Sequence, residues 1–355
     1  MVWSIITIPI ATVRLLHFGA QIDNDIASKV TQAMTRSLLE PVGSLSPQET
    51  LRLAQQAPAI LRKTPKAFSS SPLASLFSSS ETAETWTIYE NLMIVCLRVG
   101  DDAAANECLG RITARFGENH ERVLALRGLF KEATASSTAD LQKILDEYET
   151  LLQENDANIP VLKRKIALLR STDRLSEAIT ALNSLLEICP TDPEAWAELA
   201  DMYVFQGLYP QAIFALEEVL IFSPNAWNIQ ARLGEVSLMA ASVGSEGGPF
   251  KHYAEALKRF CRSIELCDDY LRGYYGLKLT TDKLLDSAPK SKKDSEGFSL
   301  PETATVEKLN QVATEKLANI VRRYSANERG WQGYEATEIA AARELLDSVS
   351  ASIVR

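Results

Sequence analysis

Residues 193 to 226 read PEAWAELADMYVFQGLYPQAIFALEEVLIFSPNA. Apolar residues recur there at i, i+3, i+4 and i+7 in two runs, split at Gly207 to Pro210, as in two amphipathic helices folded back on each other. Trp196, Leu199, Ala200 and Tyr203 make the stripe of the first helix, and Ala212 and Leu216 that of the second. Small Ala200 and Ala212 let the two axes approach, while Trp196, Tyr203 and Leu216 fill the space on either side. Asp192 as N-cap with Pro193 at the first helical position starts the pair, and Gly207 with Pro210 marks its turn. Two helices of this length cannot bury their apolar faces alone, so the pattern demands neighbours of the same kind.

The neighbours are legible. Residues 159 to 192 repeat the register with Leu162, Ile166, Leu169, Ala178, Leu182, Leu185 and Pro190, and Pro190 and Pro224 stand 34 residues apart. This is the period and residue pattern of the tetratricopeptide repeat, so the expected fold is an all-α tetratricopeptide-repeat superhelix, an α-solenoid. A degenerate unit begins at Trp86, with Tyr89, Leu92, Ala105 and Leu109 at packing positions and Gly100 at the turn. Another runs from Arg122 to Asn158, with Leu141, Ile144, Leu145, Tyr148 and Leu152 as one stripe and a turn lengthened over Ala135 to Thr138. After Pro224 a unit opens with Trp227, Leu233 and Gly234, and its second helix is delayed by a loop from Val243 to Phe250.

Four regions follow. Residues 1–40 are an N-terminal extension, 41–83 a weakly patterned helical and serine-rich linker region, 84–285 the repeat array, and 286–355 a polar loop with C-terminal capping helices. Ser69 to Ser80 and Lys290 to Gly297 read as linkers, and helices are expected over Asp269 to Leu285, about Val306 to Tyr324 and over Glu335 to Val349. Val2 to Val13 is almost wholly apolar but too short to span a bilayer and lacks a basic flank. It admits two readings, a signal-peptide core or an extension from a mis-assigned start.

A net charge of -9 argues against a general nucleic-acid surface. Cys96, Cys108, Cys189, Cys261 and Cys267 form no CxxC pair and are expected as buried thiols, which, with no glycosylation sequon, suits a reducing compartment. His17, His120 and His252 are far apart and none has a partner at metal-ligand spacing. Phosphate-loop, dinucleotide, zinc-protease and nucleophile-elbow signatures are absent, and the glycines from Gly244 to Gly248 follow no strand. No enzyme activity, metal or cofactor is expected.

Function then falls to surface. In this architecture the first helix of each pair lines a groove that receives a peptide or helix. The groove positions are Lys163, Arg164 and Arg170 in one unit, Glu194, Glu198, Asp201, Val204 and Phe205 in the next, then Arg232 and Glu235. A basic band beside an acidic band is expected, with Lys163, Arg164, Glu198 and Asp201 touching a partner segment. A carboxylate clamp of the chaperone-cofactor kind needs converging Lys and Asn, and the acidic sites after Lys163 and Arg164 disfavour it.

WTIYENLMIVCL from Trp86, RKIALLR from Arg164, EAWAELADMY from Glu194, YPQAIFALEEVL from Tyr209 and FCRSIELCDDYLRGYYGL from Phe260 go beyond the packing residues. Over residues 84–285 they make the chain resemble subunit 2 of the endoplasmic reticulum membrane protein complex. The resemblance implies a non-catalytic, peripheral scaffold on the cytosolic side, in a hetero-oligomer that inserts tail-anchored and multi-pass membrane proteins without nucleotide hydrolysis. Its groove is expected to hold a cytosolic helix of a membrane subunit. The other reading is a co-chaperone adaptor that binds client or chaperone peptides; a repeat-containing transferase would need a catalytic domain that has no motif here.

Overall fold

The computed structural model describes residues 38–63, 82–243, 248–286 and 300–353, and among these there is no β-strand. The expectations for Val2 to Val13, His17, Ser69 to Ser80 and Lys290 to Gly297 lie outside the described residues. Two compact units divide the chain, the first ending at Ile188 and the second beginning at Cys189. Both consist of paired helices of the tetratricopeptide-repeat α-solenoid class.

In the first unit, α1 (Pro47–Ala54) and α2 (Ala57–Lys63) precede three helix pairs. These are α3 (Ala83–Val99) with α4 (Asp102–Phe116), α5 (Glu121–Thr134) with α6 (Thr138–Glu154), and α7 (Ile159–Ser171) with α8 (Leu175–Ile188). Ser46 and Glu49 form a reciprocal capping box that starts α1, with Pro47 at its first position. Residues 38–63 are weakly patterned in sequence but are not a bystander to the array. Leu38, Val42, Leu53, Ala54, Ala57 and Leu61 share one core with Trp86, Tyr89, Leu92 and Cys108. Three side chains bind this segment to the first pair: Asn91 donates to the Leu38 carbonyl at 2.6 Å, Arg98 to that of Val42 at 2.5 Å and Arg111 to that of Leu61 at 2.6 Å. Short helices with little apolar surface of their own are stabilised by this docking.

The second unit holds α9 (Pro193–Phe205) with α10 (Tyr209–Phe222), α11 (Trp227–Val243) with α12 (Gly248–Leu266), then α13 (Leu271–Asp286), α14 (Thr303–Ser325) and α15 (Ala336–Ile353). Asp192 caps α9 as its sequence implies, accepting from the Glu194 and Ala195 amides at 3.0 and 3.1 Å. Ala200 and Ala212 are buried at the crossing, and the Trp196 ring meets Phe214 edge-on while its N–H reaches the Pro190 carbonyl at 2.9 Å. Gly207 ends the turn region at φ 73°, a left-handed conformation that disfavours any side chain. Of the loop expected from Val243 to Phe250, Val243 belongs to α11 and Gly248 to Phe250 belong to α12.

The core of the later helices is built around Phe260. A Cβ on Gly276 would stand 2.1 Å from its ring and one on Gly234 2.8 Å, so both glycines are the space the ring occupies. Burying a side chain of this size stabilises by about 2 to 3 kcal/mol. The C-terminal helices share that core through Val306, Ala313, Leu317, Ile320, Ile339 and Ala342, so α14 and α15 are packed parts of the unit. Between α13 and α14 lies a polar seam. Lys278, 1% exposed, ion-pairs with Asp282 at 2.5 Å, and Asn310 donates to both Asp282 and Thr281.

Candidate functional site

The sequence places ten residues on the candidate surface. Three belong to α7 of the first unit and seven to α9 and α11 of the second.

On α7, Lys163 and Arg170 are half-buried, but Arg164 is 8% exposed and belongs to the core. Its guanidinium grips both carboxylate oxygens of Glu132 on α5, one of them through Nε at 3.3 Å. Tyr148 on α6 donates its hydroxyl proton to the same carboxylate. Burial alone would lower the basicity of Arg164, but Glu132 and Tyr148 outweigh it and hold the charge in place; burial and Glu132 push the Tyr148 hydroxyl well above its ordinary value. Gly128 makes the room, since a Cβ there would lie 2.0 Å from the Tyr148 hydroxyl. The expectation that Arg164 contacts a partner is corrected on this ground: its hydrogen-bonding edge is spent inside the fold. The repeat pattern marks Tyr148 only as part of a stripe, and it gives no sign of Glu132 or Gly128.

On α9, Glu194, Glu198, Asp201 and Phe205 follow one another at four, three and four residues, which sets them along one helical face. Glu194, Asp201 and Phe205 are exposed, Phe205 by 77%, and Glu198 is half-buried. Arg232 on α11 ties Asp201 and Glu235 together, with nitrogen to oxygen distances of 3.0 Å to each. Burial acts to lower the Arg232 pKa, but the two carboxylates raise it, so the guanidinium stays charged between them. Asp201 and Glu235 share the one guanidinium of Arg232, and the phenyl ring of Phe205 stands uncovered at one end of the face.

The remaining chemistry-bearing side chains are structural. Burial pushes the Cys96 thiol up to about 12, and Cys108 is raised for the same reason, which makes both poor nucleophiles. Cys189, Cys261 and Cys267 are only half-buried, and Cys189 and Cys267 stand just past helix ends rather than within helices. His120 is the N-cap of α5, accepting from the Arg122 amide at 3.3 Å. No group of His, Cys, Asp and Glu side chains suited to a metal ion occurs among the described residues, and none of their helices is long and apolar enough to cross a membrane.

Residues 114–247 match the family described as the EMC2 TPR-like repeat domain. The chain is 33% identical to the TPR repeat protein oca3 of Schizosaccharomyces pombe over 242 residues, 66% of this chain and 82% of that protein. It is 31% identical to ER membrane protein complex subunit 2-B of Xenopus laevis over 233 residues, 65% of this chain and 74% of that protein. With ER membrane protein complex subunit 2 of Dictyostelium discoideum the identity is 24% over 257 residues, 71% of this chain and 75% of that protein. The helix pairs of the structure agree with that repeat domain, and the chain belongs to the family of subunit 2 of the ER membrane protein complex.

Proposed function

We propose that this chain is a non-catalytic scaffold subunit of the ER membrane protein complex, attached to the cytosolic side of the membrane through its partner subunits. In that role it supports the insertion of tail-anchored and multi-pass membrane proteins without nucleotide hydrolysis. The observation that carries the reading is the 31% identity over most of the length of a Xenopus laevis subunit 2.

The docking surface in this proposal is the α9 face of Glu194, Glu198, Asp201 and Phe205, flanked by Arg232 and Glu235 on α11. Its exposed Glu194 and Asp201 and its bare phenyl ring suit an amphipathic cytosolic helix of a membrane subunit, with basic residues for the acids and an apolar residue to cover Phe205. Arg164 is left out of the proposed contacts because it is engaged in the core.

Affinity purification of the tagged chain from detergent-solubilised membranes tests the assignment. A stoichiometric set of membrane-embedded subunits is the expected result. Recovery of chaperones without those subunits would overturn it in favour of the co-chaperone adaptor.

A further inference from the structure

The second unit carries a feature that scaffolding does not require. Arg322, Arg323, Tyr324 and Ser325 give the sequence RRYS, with arginines three and two residues before a serine. Protein kinases that read basic residues on the N-terminal side of the acceptor use this arrangement, because two guanidinium groups pair with acidic pockets on the kinase. Ser325 is the last residue of α14 and is exposed. The chain turns beyond it through Asn327 at φ 54°, so the acceptor sits where a helix frays most readily.

The hydroxyl already meets one arginine of the neighbouring helix. Ser325 Oγ donates to the Val321 carbonyl at 2.7 Å and accepts from Arg343 Nη2 on α15 at 2.9 Å. Arg322 is exposed and donates to Asn319 at 3.0 Å. Arg323 lies over the Trp331 ring at 4.7 Å and keeps a loose ion pair with Glu328 at 3.7 Å, which holds a further cation beside the turn. We propose that Ser325 is phosphorylated by an arginine-directed serine kinase and that the phosphate, gripped by Arg343, fastens α15 to the end of α14.

The transfer breaks the Oγ–H bond and the bond from the γ-phosphorus of ATP to its bridging oxygen. A new Oγ–P bond forms, ADP leaves, and the hydroxyl proton passes to the kinase's base. The product carries about two negative charges and three strong acceptor oxygens. At a helix C-terminus that charge opposes the helix dipole, and the hydroxyl no longer donates to Val321. Any gain in order therefore comes through the cross-helix arginine, which makes Arg343 the discriminating residue.

Full-length protein is incubated with the catalytic subunit of cyclic-AMP-dependent protein kinase and magnesium ATP, and the site is mapped by mass spectrometry. One phosphate on Ser325 is expected, absent in Ser325→Ala and slowed by about tenfold or more in the Arg322→Ala, Arg323→Ala double variant. Hydrogen exchange over residues 336–347 is then expected to slow on phosphorylation by about threefold to tenfold, and not to slow in phosphorylated Arg343→Ala. Phosphate found only elsewhere, for example on Ser295 in the KKDS sequence, would overturn the acceptor assignment. Phosphate on Ser325 with identical exchange in the wild type and Arg343→Ala would overturn the clamp.

Discussion

Arg164 and Arg232 occupy the same sixth position of their repeats and make the same kind of contact, yet they end in different environments. Each reaches back to the first helix of the preceding pair, Arg164 to Glu132 and Arg232 to Asp201. In the first unit Tyr148 closes over the pair because Gly128 leaves room for its ring, and the charges are sealed. In the second unit the guanidinium is shared with Glu235 at the surface and Asp201 stays exposed. Register therefore settles which neighbour the sixth-position residue meets, while the side chains around the pair settle whether it is core or surface. The contrast implies that losing one arginine damages folding and losing the other damages little but recognition.

The largest expected effect is that of Arg164→Ala, which strands the Glu132 carboxylate and the Tyr148 hydroxyl in a nearly sealed site. A loss of about 3 to 5 kcal/mol in the unfolding free energy of the first unit is expected from urea denaturation. A loss under about 1 kcal/mol would erase the difference between the two arginines. Gly128→Ala probes the lid of the same cluster without touching charge. The added methyl must displace Tyr148 from a 2.0 Å approach, and the expected loss is about 1 to 3 kcal/mol, read from the same denaturation curves.

Alkaline titration sharpens the point. Tyr148 has a folded pKa raised well above its ordinary 10.0, so its contribution is intact below pH 10 and drains away as the pH rises through the window above it. Comparing wild type with Tyr148→Phe between pH 9 and 11, the wild type is expected to lose up to about 1.4 kcal/mol more per pH unit above 10. Parallel curves would place the hydroxyl in water. The smallest effect belongs to the second unit. A double-mutant cycle over Arg232→Ala and Asp201→Ala is expected to return a coupling of about 0.2 to 1 kcal/mol that fades with added salt. Coupling of 3 kcal/mol or more would mean that the two pairs are alike after all.

The paired helices were legible because their spacing is a packing requirement repeated along the chain: Ala200, Ala212, Leu182 and Leu216 are buried as their positions imply. The candidate strip was legible only in part. Periodicity reports the direction a side chain leaves its helix, and Phe205 and Asp201 are exposed. It cannot report that Tyr148 folds across Arg164, a contact that depends on a glycine two turns of chain away. Residues 38–63 escaped for a related reason, since α1 and α2 are too short to show a period and are held by Asn91, Arg98 and Arg111 reaching for their carbonyls and those of the turn before them. Identities between the packing positions, such as those around Glu194 and Phe260, pointed to the family where periodicity could point only to the fold.

The α9 face is the surface proposed to meet a membrane subunit. A photo-cross-linking residue placed at position 205 of the full chain, in cells that assemble the complex, tests this directly because Phe205 is 77% exposed and its replacement leaves the core untouched. The predicted result is a covalent adduct with the cytosolic segment of one membrane-embedded subunit, lost when Glu194 and Glu198 are both changed to lysine. An intact complex that co-purifies with the probe-bearing chain but yields no adduct with any membrane subunit would contradict it.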